Sequence, residues 1–370
     1  MGSDKPSNNE GFDHRHYVPC LRWKQGEYQG LLKLSERVKD SITPLIEVQE
    51  RGWDFENQQD AKTLEKHIEK FATRIANKWE SRPCFVDLIH ILDEGNLKDG
   101  AHPAKRIFDE LVQMNCDAIP VIRTNRSTAE QAVFRGIIKK RHRACVRVSL
   151  EELAQKAFAS QLSSLLLDVG IVASECDFIF DLGTPSFQPL EGFSKLVANL
   201  ICKIPEWEDW QSVTLIGTSF PSTMAEVEYG LTFIPRQEWE LYGLVVKKLR
   251  SLHRRLPAFG DYAINHPEVN QMDMRFVKPN ATIRYTTDAD WLIVKGKNVR
   301  DYKFEQFREH CNTVVSTSDF MGSEYSEADR YIAGCAAGSE KTGNLTTWRW
   351  VGTNHHLTKV VEDIANLFGS

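Results

Sequence analysis

A series of short apolar runs along this chain ends, one after another, in residues that can hold charge or move a proton. Arg22 and Lys24 follow VPCL, Glu47 follows TPLI, Asp87 follows CFV and Arg123 follows AIPVI. Arg147 sits inside ACVRVS, Asp181 closes DFIFD, Thr218 and Ser219 follow VTLIG, and Asp261 with Tyr262 follows AFG. An ionised side chain buried without a partner is costly, so charges repeated at the same end of successive apolar segments imply a shared polar space. Inward-facing Arg and Lys would hold an anionic group, phosphate above all, through forked donors. Glu47, Asp87, Asp181 and Asp261 would hold a hard cation such as Mg2+ or act as acid and base. Internal ion pairs that merely brace the structure are the competing account, weaker for the whole set than for any one residue.

A second cluster is Asn354-His355-His356. Read as the N-cap of the last helix, whose apolar stripe is Leu357, Val360, Val361, Ile364 and Leu367, Asn354 would set both imidazoles at a helix N-terminus. That position suits anion binding and favours a neutral His that can move a proton. A shared zinc is less expected, because adjacent helical residues diverge by about 100°. Lys295 and Lys297 close a hairpin-like segment and would clamp a ligand. Trp348 and Trp350 would stack on a base, although packing alone would explain them. Arg22 and Lys24 share strand parity and are expected to point inward together. The basic run at 139–143 falls at the opposite end of its segment and reads as solvated surface.

The elements that must position these residues repeat eight times. Apolar runs at 18–24, 43–48, 84–89, 118–124, 144–149, 177–183, 213–219 and 258–264 alternate with helix-length segments. Near-continuous apolar strands are buried on both faces, as in a parallel sheet, and right-handed crossovers repeated eight times close a barrel. The expected fold is α/β: a (β/α)8 TIM-type barrel whose charged strand ends form one mouth. An open doubly wound sheet is the alternative, but no Gly-rich fingerprint follows any strand. Helices are expected over 27–38, 64–79, 103–114, 150–169, 190–204 and 237–252, and Ser127 with Glu130 makes a capping box. After strand eight the regularity fails: a hairpin at 281–297, a helix near 302–314, then a polar Gly- and Ser-rich stretch to 347. The expected organisation is a disordered N-terminus at 1–16, a barrel body at 17–280, a lid insertion at 281–350 (β-hairpin plus helix, between strand eight and the last helix) and a final barrel helix at 351–370.

The chain has 370 residues, 41% hydrophobic and 26% charged, with a net charge of −5, which argues against coating of nucleic acid and against duplex DNA binding. Eight Cys show no CxxC pair and read as reduced core thiols. No apolar run is long enough to span a membrane and no signal core opens the chain, so a cytoplasmic protein is expected.

YVPCLRWKQGE, TPLIEV, IGTSFP, PRQEWELY, FGDYAINHP and WRWVGTNHHLTKVV occur in order between Tyr17 and Phe368. Together they make a sequence that resembles the beta protein family of phages, satellite prophages and bacterial genomic islands. The resemblance implies a place in phage–host conflict, as an anti-phage defence effector or as a toxin-neutralising partner of a neighbouring gene product, and it assigns no reaction. Two functions therefore compete, the first favoured and the second the alternative. One is metal-assisted hydrolysis of a phosphoester in a phosphorylated or nucleotide-like substrate. The other is binding without turnover, of a small anionic ligand or of a protein partner.

Overall fold

The computed structural model describes residues 11–268 and 277–369. Its strands in chain order are β1 (Tyr17–Leu21), β2 (Leu45–Glu47), β3 (Trp53–Asp54), β4 (Gln59–Asp60), β5 (Cys84–Asp87), β6 (Ala118–Ile122), β7 (Ala144–Ser149), β8 (Cys176–Asp181), β9 (Ser212–Ile216), β10 (Gly230–Pro235), β11 (Ala258–Asp261), β12 (Asn280–Thr286) and β13 (Asp290–Asn298). Eight of these close a parallel barrel in the order β1-β11-β9-β8-β7-β6-β5-β2. Each of the eight apolar runs supplies one barrel strand, and the (β/α)8 architecture is present. Alternate residues divide cleanly. Val18, Cys20, Leu45, Phe85, Ile119, Val121, Cys145, Ile179 and Ile216 fill the interior, whereas Tyr17, Leu21, Ile46, Val86, Val146, Phe178 and Phe259 pack against the helices. The capping box is formed: Glu130 N–H donates to Ser127 Oγ at 3.3 Å and Ser127 N–H donates to the Glu130 carboxylate at 3.1 Å.

Of the N-terminal stretch expected to be disordered, residues 1–10 lie outside the described residues, but 11–16 are placed. Phe12 packs with the barrel-interior cluster, 6.3 Å from the Phe85 ring, and His16 stacks on Phe12 at 4.4 Å. An apolar stack inside a barrel is open at its lower end, and Phe12 is the side chain that covers it. Burial lowers the His16 imidazole to about 4 from an ordinary 6.5. The fold therefore holds it neutral, while the unfolded chain takes up a proton below about pH 6.5. The stability it allows is complete above that pH and declines as pH falls toward 4, by roughly 2 kcal/mol after allowance for partial exposure. Urea unfolding at pH 7 and 4.5 should show the wild type losing this increment and His16→Phe retaining it. Equal acid sensitivity in the two proteins would rule the account out. At the same end, Arg143 of the basic run is buried, not solvated, and forks onto Asp177 at 2.9 and 3.3 Å.

Beyond β11 the chain builds a second, smaller body with its own core (Ile283, Tyr285, Leu292, Phe307, Ile332 and Trp348 among others). The hairpin expected at 281–297 is β12 and β13, but the antiparallel sheet has three strands, β10-β13-β12. Its edge comes from the loop after β9 and was not expected: Leu231 and Phe233 point to solvent, so no buried stripe announces it. The helix near 302–314 is Gln306–Val315, and the stretch expected to be irregular contains a further helix, Glu327–Ala337. The terminal helix runs Leu345–Phe368, across the expected boundary at 350. It is ~36 Å long. Trp348 and Val351 belong to the core of the excursion; Leu357, Val360, Val361 and Ile364 belong to the barrel. One rigid element thus serves both bodies. It lies tight against helix Gln25–Leu32, where a Cβ on Gly30 would sit 2.9 Å from Thr353. Among the described residues no helix is long and apolar enough to cross a membrane.

Candidate active site at the barrel mouth

Glu47 and Asp87 end adjacent strands in register. Because Leu45, Phe85, Val121, Cys145 and Ile179 face the barrel interior, the residues two further on, Glu47, Asp87, Arg123, Arg147 and Asp181, face it too. They meet around one guanidinium. Arg147 donates to Glu47 Oε1 at 2.8 Å, to Asp87 Oδ2 at 2.8 Å, to Asp181 Oδ2 at 2.9 Å through Nε, and to the Tyr262 hydroxyl at 2.8 Å. Arg123 donates to Asp87 Oδ2 at 2.6 Å, and the Tyr262 hydroxyl donates to Asp181 at 2.6 Å. The other oxygens of the two aspartates accept backbone N–H groups, Ile89 on Asp87 at 3.0 Å and Gly183 on Asp181 at 2.9 Å. Burial alone would push the Asp87 carboxyl up, but the Arg123 and Arg147 guanidiniums outweigh it and hold the group at about 2. Burial and the neighbouring Asp181 carboxylate raise the Tyr262 phenol, so it stays protonated and donates. Arg147 is only 3% exposed.

This geometry is a closely paired ion network of three carboxylates and two guanidiniums. It does not suit the expected Mg2+: Arg147 stands where a cation would, and no group of three His, Cys, Asp or Glu among the described residues is placed to hold a metal ion. His90, which the sequence reading passed over, lies at the rim with Nε2 4.0 Å from Glu47 Oε2 and is the group in contact with both network and solvent. Its only sequence signal is a lone imidazole three residues past the end of a barrel strand.

Several expected site residues are elsewhere. β1 ends at Leu21, and Trp23 turns the chain with a left-handed φ of 50°, so Lys24 leaves the strand's inward face and is exposed just before helix Gln25–Leu32. Asp261 has outward parity and faces the helices, with Tyr17 and His356 as partners; its neighbour Tyr262 is the one that enters. His355 and His356 lie in the middle of the terminal helix, whose N-cap is Asn344, and both are fully buried. His356 bonds Thr286 Oγ1 at 2.9 Å and Asp261 at 2.8 Å; His355 bonds Asp329 and the Thr286 carbonyl, each at 2.9 Å. Asn354 ties Gly30 to Ala328 instead of capping. Ser219 donates to Glu238 and accepts from the N–H of Gln237. Lys295 is buried and donates to the Val227 carbonyl at 2.6 Å, so it clamps a loop of its own chain. Trp348 is buried against Phe307 at 4.5 Å and does not cover the mouth.

The open space is on the other sector of the same mouth. A cavity of ≈ 110 Å³ lies between the ends of β1, β9 and β11 and the underside of the excursion. Its lining includes Arg22 from the barrel, Arg284 from β12, Arg349 from the terminal helix, and Phe220, Asn265 and His266 from the βα loops. Tyr262, which joins the ion network, precedes the 264–266 stretch of this lining in the chain. Of these arginines the sequence reading named only Arg22.

A family model described as Beta protein matches residues 17–362. No curated protein matches the chain. Among solved structures, the chain is similar to the YdjI aldolase from Escherichia coli K12, with 9% identity over 96% of this chain and 92% of that one and a TM-score of 0.35. A likeness of that size carries no argument about activity.

Proposed function

The chain belongs to the beta protein family, and from that premise we propose that it binds a small phosphorylated or nucleotide-like ligand at the C-terminal mouth of its barrel, as a ligand-responsive component of phage–host conflict. One observation carries the reading: an open cavity with three arginines in its lining adjoins a built, ionised network at the end of the barrel where such folds place their sites. Binding is favoured over metal-assisted hydrolysis because the carboxylates are already satisfied by guanidinium groups. Turnover is the second reading, supported by the half-exposed His90 beside Glu47.

Thermal unfolding with inorganic phosphate, nucleoside mono-, di- and triphosphates and sugar phosphates, at ionic strength matched with chloride, tests both. At least one compound should raise the melting temperature saturably, since a ligand at about 100 times its Kd stabilises the folded state by about 2.7 kcal/mol. If none exceeds the chloride control, the binding reading is wrong. If the active compound is also consumed, with the rate falling about a hundredfold in His90→Gln at unchanged affinity, turnover replaces simple binding.

A further inference from the structure

The arginines of this protein fall into two kinds. Arg147 has carboxylates on three sides, Arg143 has Asp177 and Arg236 has Asp363, as buried cations require. Arg284 has none. Its Nε is buried without a partner, and its guanidinium forms no hydrogen bond or ion pair among the described residues; the nearest favourable contact is the Phe220 ring at 6.0 Å. Arg349, across the cavity, donates to the Asn265 side-chain oxygen, and Arg22 donates to the Glu268 carbonyl at 3.0 Å while its own Nε is unpartnered. Buried Glu27 is the nearby acid; Oε1 accepts from Asn265 at 2.9 Å and Oε2 has no partner. Glu268 is exposed at the rim. Three guanidiniums against the Glu27 and Glu268 carboxylates leave the cavity of ≈ 110 Å³ net positive.

We infer that Arg22, Arg284 and Arg349 form a clamp for a doubly charged oxyanion, the phosphoryl end of the ligand proposed above, and that this anion ties the excursion to the barrel. The inference rests on that reading and specifies it. Guanidinium forks match the oxygens of a tetrahedral anion and keep their charge in a dry site. The electrostatics agree: burial and the nearby Arg349 pull Arg284 down to about 9, the mark of a cation lacking its counter-charge. The three side chains also come from three separate parts, the end of β1, the sheet of the excursion and the terminal helix. An anion held by all three would bridge bodies that otherwise have separate cores.

The test uses the full chain, Arg284→Gln and Arg284→Lys, with inorganic phosphate and malonate as probes at constant ionic strength. Phosphate should raise the melting temperature of the wild type saturably and slow amide exchange in β12. In Arg284→Gln the affinity should fall roughly tenfold or more, while the melting temperature without phosphate equals or exceeds that of the wild type, because an unpaired buried charge has been removed. Arg284→Lys should recover part of the affinity. A purely structural arginine behaves in the opposite way, destabilising the unliganded protein when replaced. Undiminished phosphate binding by Arg284→Gln, or a lower unliganded melting temperature, overturns the clamp. A nucleotide response that survives Arg284→Gln sinks the clamp and spares the ligand-binding reading. Malonate binding without phosphate binding keeps the clamp and sinks the phosphorylated-ligand reading.

Discussion

Arg147→Leu will destabilise this protein by about 3–5 kcal/mol in urea unfolding at neutral pH, or prevent folding altogether. The substitution removes one guanidinium and strands buried Glu47 and Asp181 beside an apolar side chain, while Asp87 keeps only Arg123 as its cation. The pH dependence carries the sign. In the wild type Asp87 titrates near 2, below its ordinary 3.8. The stability this supplies is fully present above about pH 4 and is lost as pH falls through 2, roughly 2 kcal/mol in all. In Arg147→Leu the crowded carboxylates resist ionisation, so the stability gap between variant and wild type should narrow on acidification toward pH 5. Adding Glu47→Gln and Asp181→Asn removes the stranded charges, leaves the Arg123–Asp87 pair intact and should recover much of the loss, since an unpaired buried charge is the costly part. A variant that stays as stable as the wild type at pH 7 would mean that the network is solvated and not the closed unit described above.

Those five inward residues were readable from sequence because the chain is extended where they lie. Strand parity counted from Leu45, Phe85, Val121, Cys145 and Ile179 carries the side chain two residues on into the same space. The same counting failed at Lys24, where the left-handed Trp23 ends the extended geometry, a turn that no apolar pattern reports. At Asp261 the failure was of another kind. The strand is regular, but two consecutive polar residues end it, and the sequence does not say which of them faces in.

The excursion was legible only in part, and for tertiary reasons. Its third strand, β10, precedes β11 in the chain, so a reading that expects the insertion after the last barrel strand cannot supply it. Asn354 followed by an apolar stripe is a fair N-cap signature, yet Asn344 with Thr347 ten residues earlier is the one used. The stripe changes face along the helix because its first half packs on one core and its second half on another, and the change looked like a beginning. Arg284 and Arg349 were passed over for the same reason: nothing local links them to Arg22, more than 250 residues away. Their proximity is a product of the closed fold.

Asp261→Ala is expected to cost about 3–4 kcal/mol and to loosen the excursion from the barrel, because it orphans three buried donors at once. The Tyr17 hydroxyl donates to Oδ1, His356 Nε2–H donates to Oδ2 at 2.8 Å, and the Ala263 N–H donates to Oδ1 at 2.8 Å. His356 then accepts from Thr286 of β12 through Nδ1 at 2.9 Å and stacks on Trp291 at 4.8 Å. Burial lowers the His356 imidazole against the pull of Asp261, which agrees with a neutral ring donating on one side and accepting on the other. Hydroxyl, imidazole and carboxylate stand in the order of a nucleophilic triad, but Thr286, His356 and Asp261 are all wholly buried. Without access for a substrate, the chain of bonds is a strut from a barrel strand through the terminal helix to the excursion sheet. Asp261→Asn, which keeps two of the three acceptor contacts, should lose about half as much. Limited proteolysis should cut the Asp261→Ala protein faster between 277 and 340 while the barrel persists. If Asp261→Ala and His356→Ala instead keep wild-type stability and protease resistance but abolish a ligand-dependent activity, the strut is the wrong account and the imidazole works on a substrate.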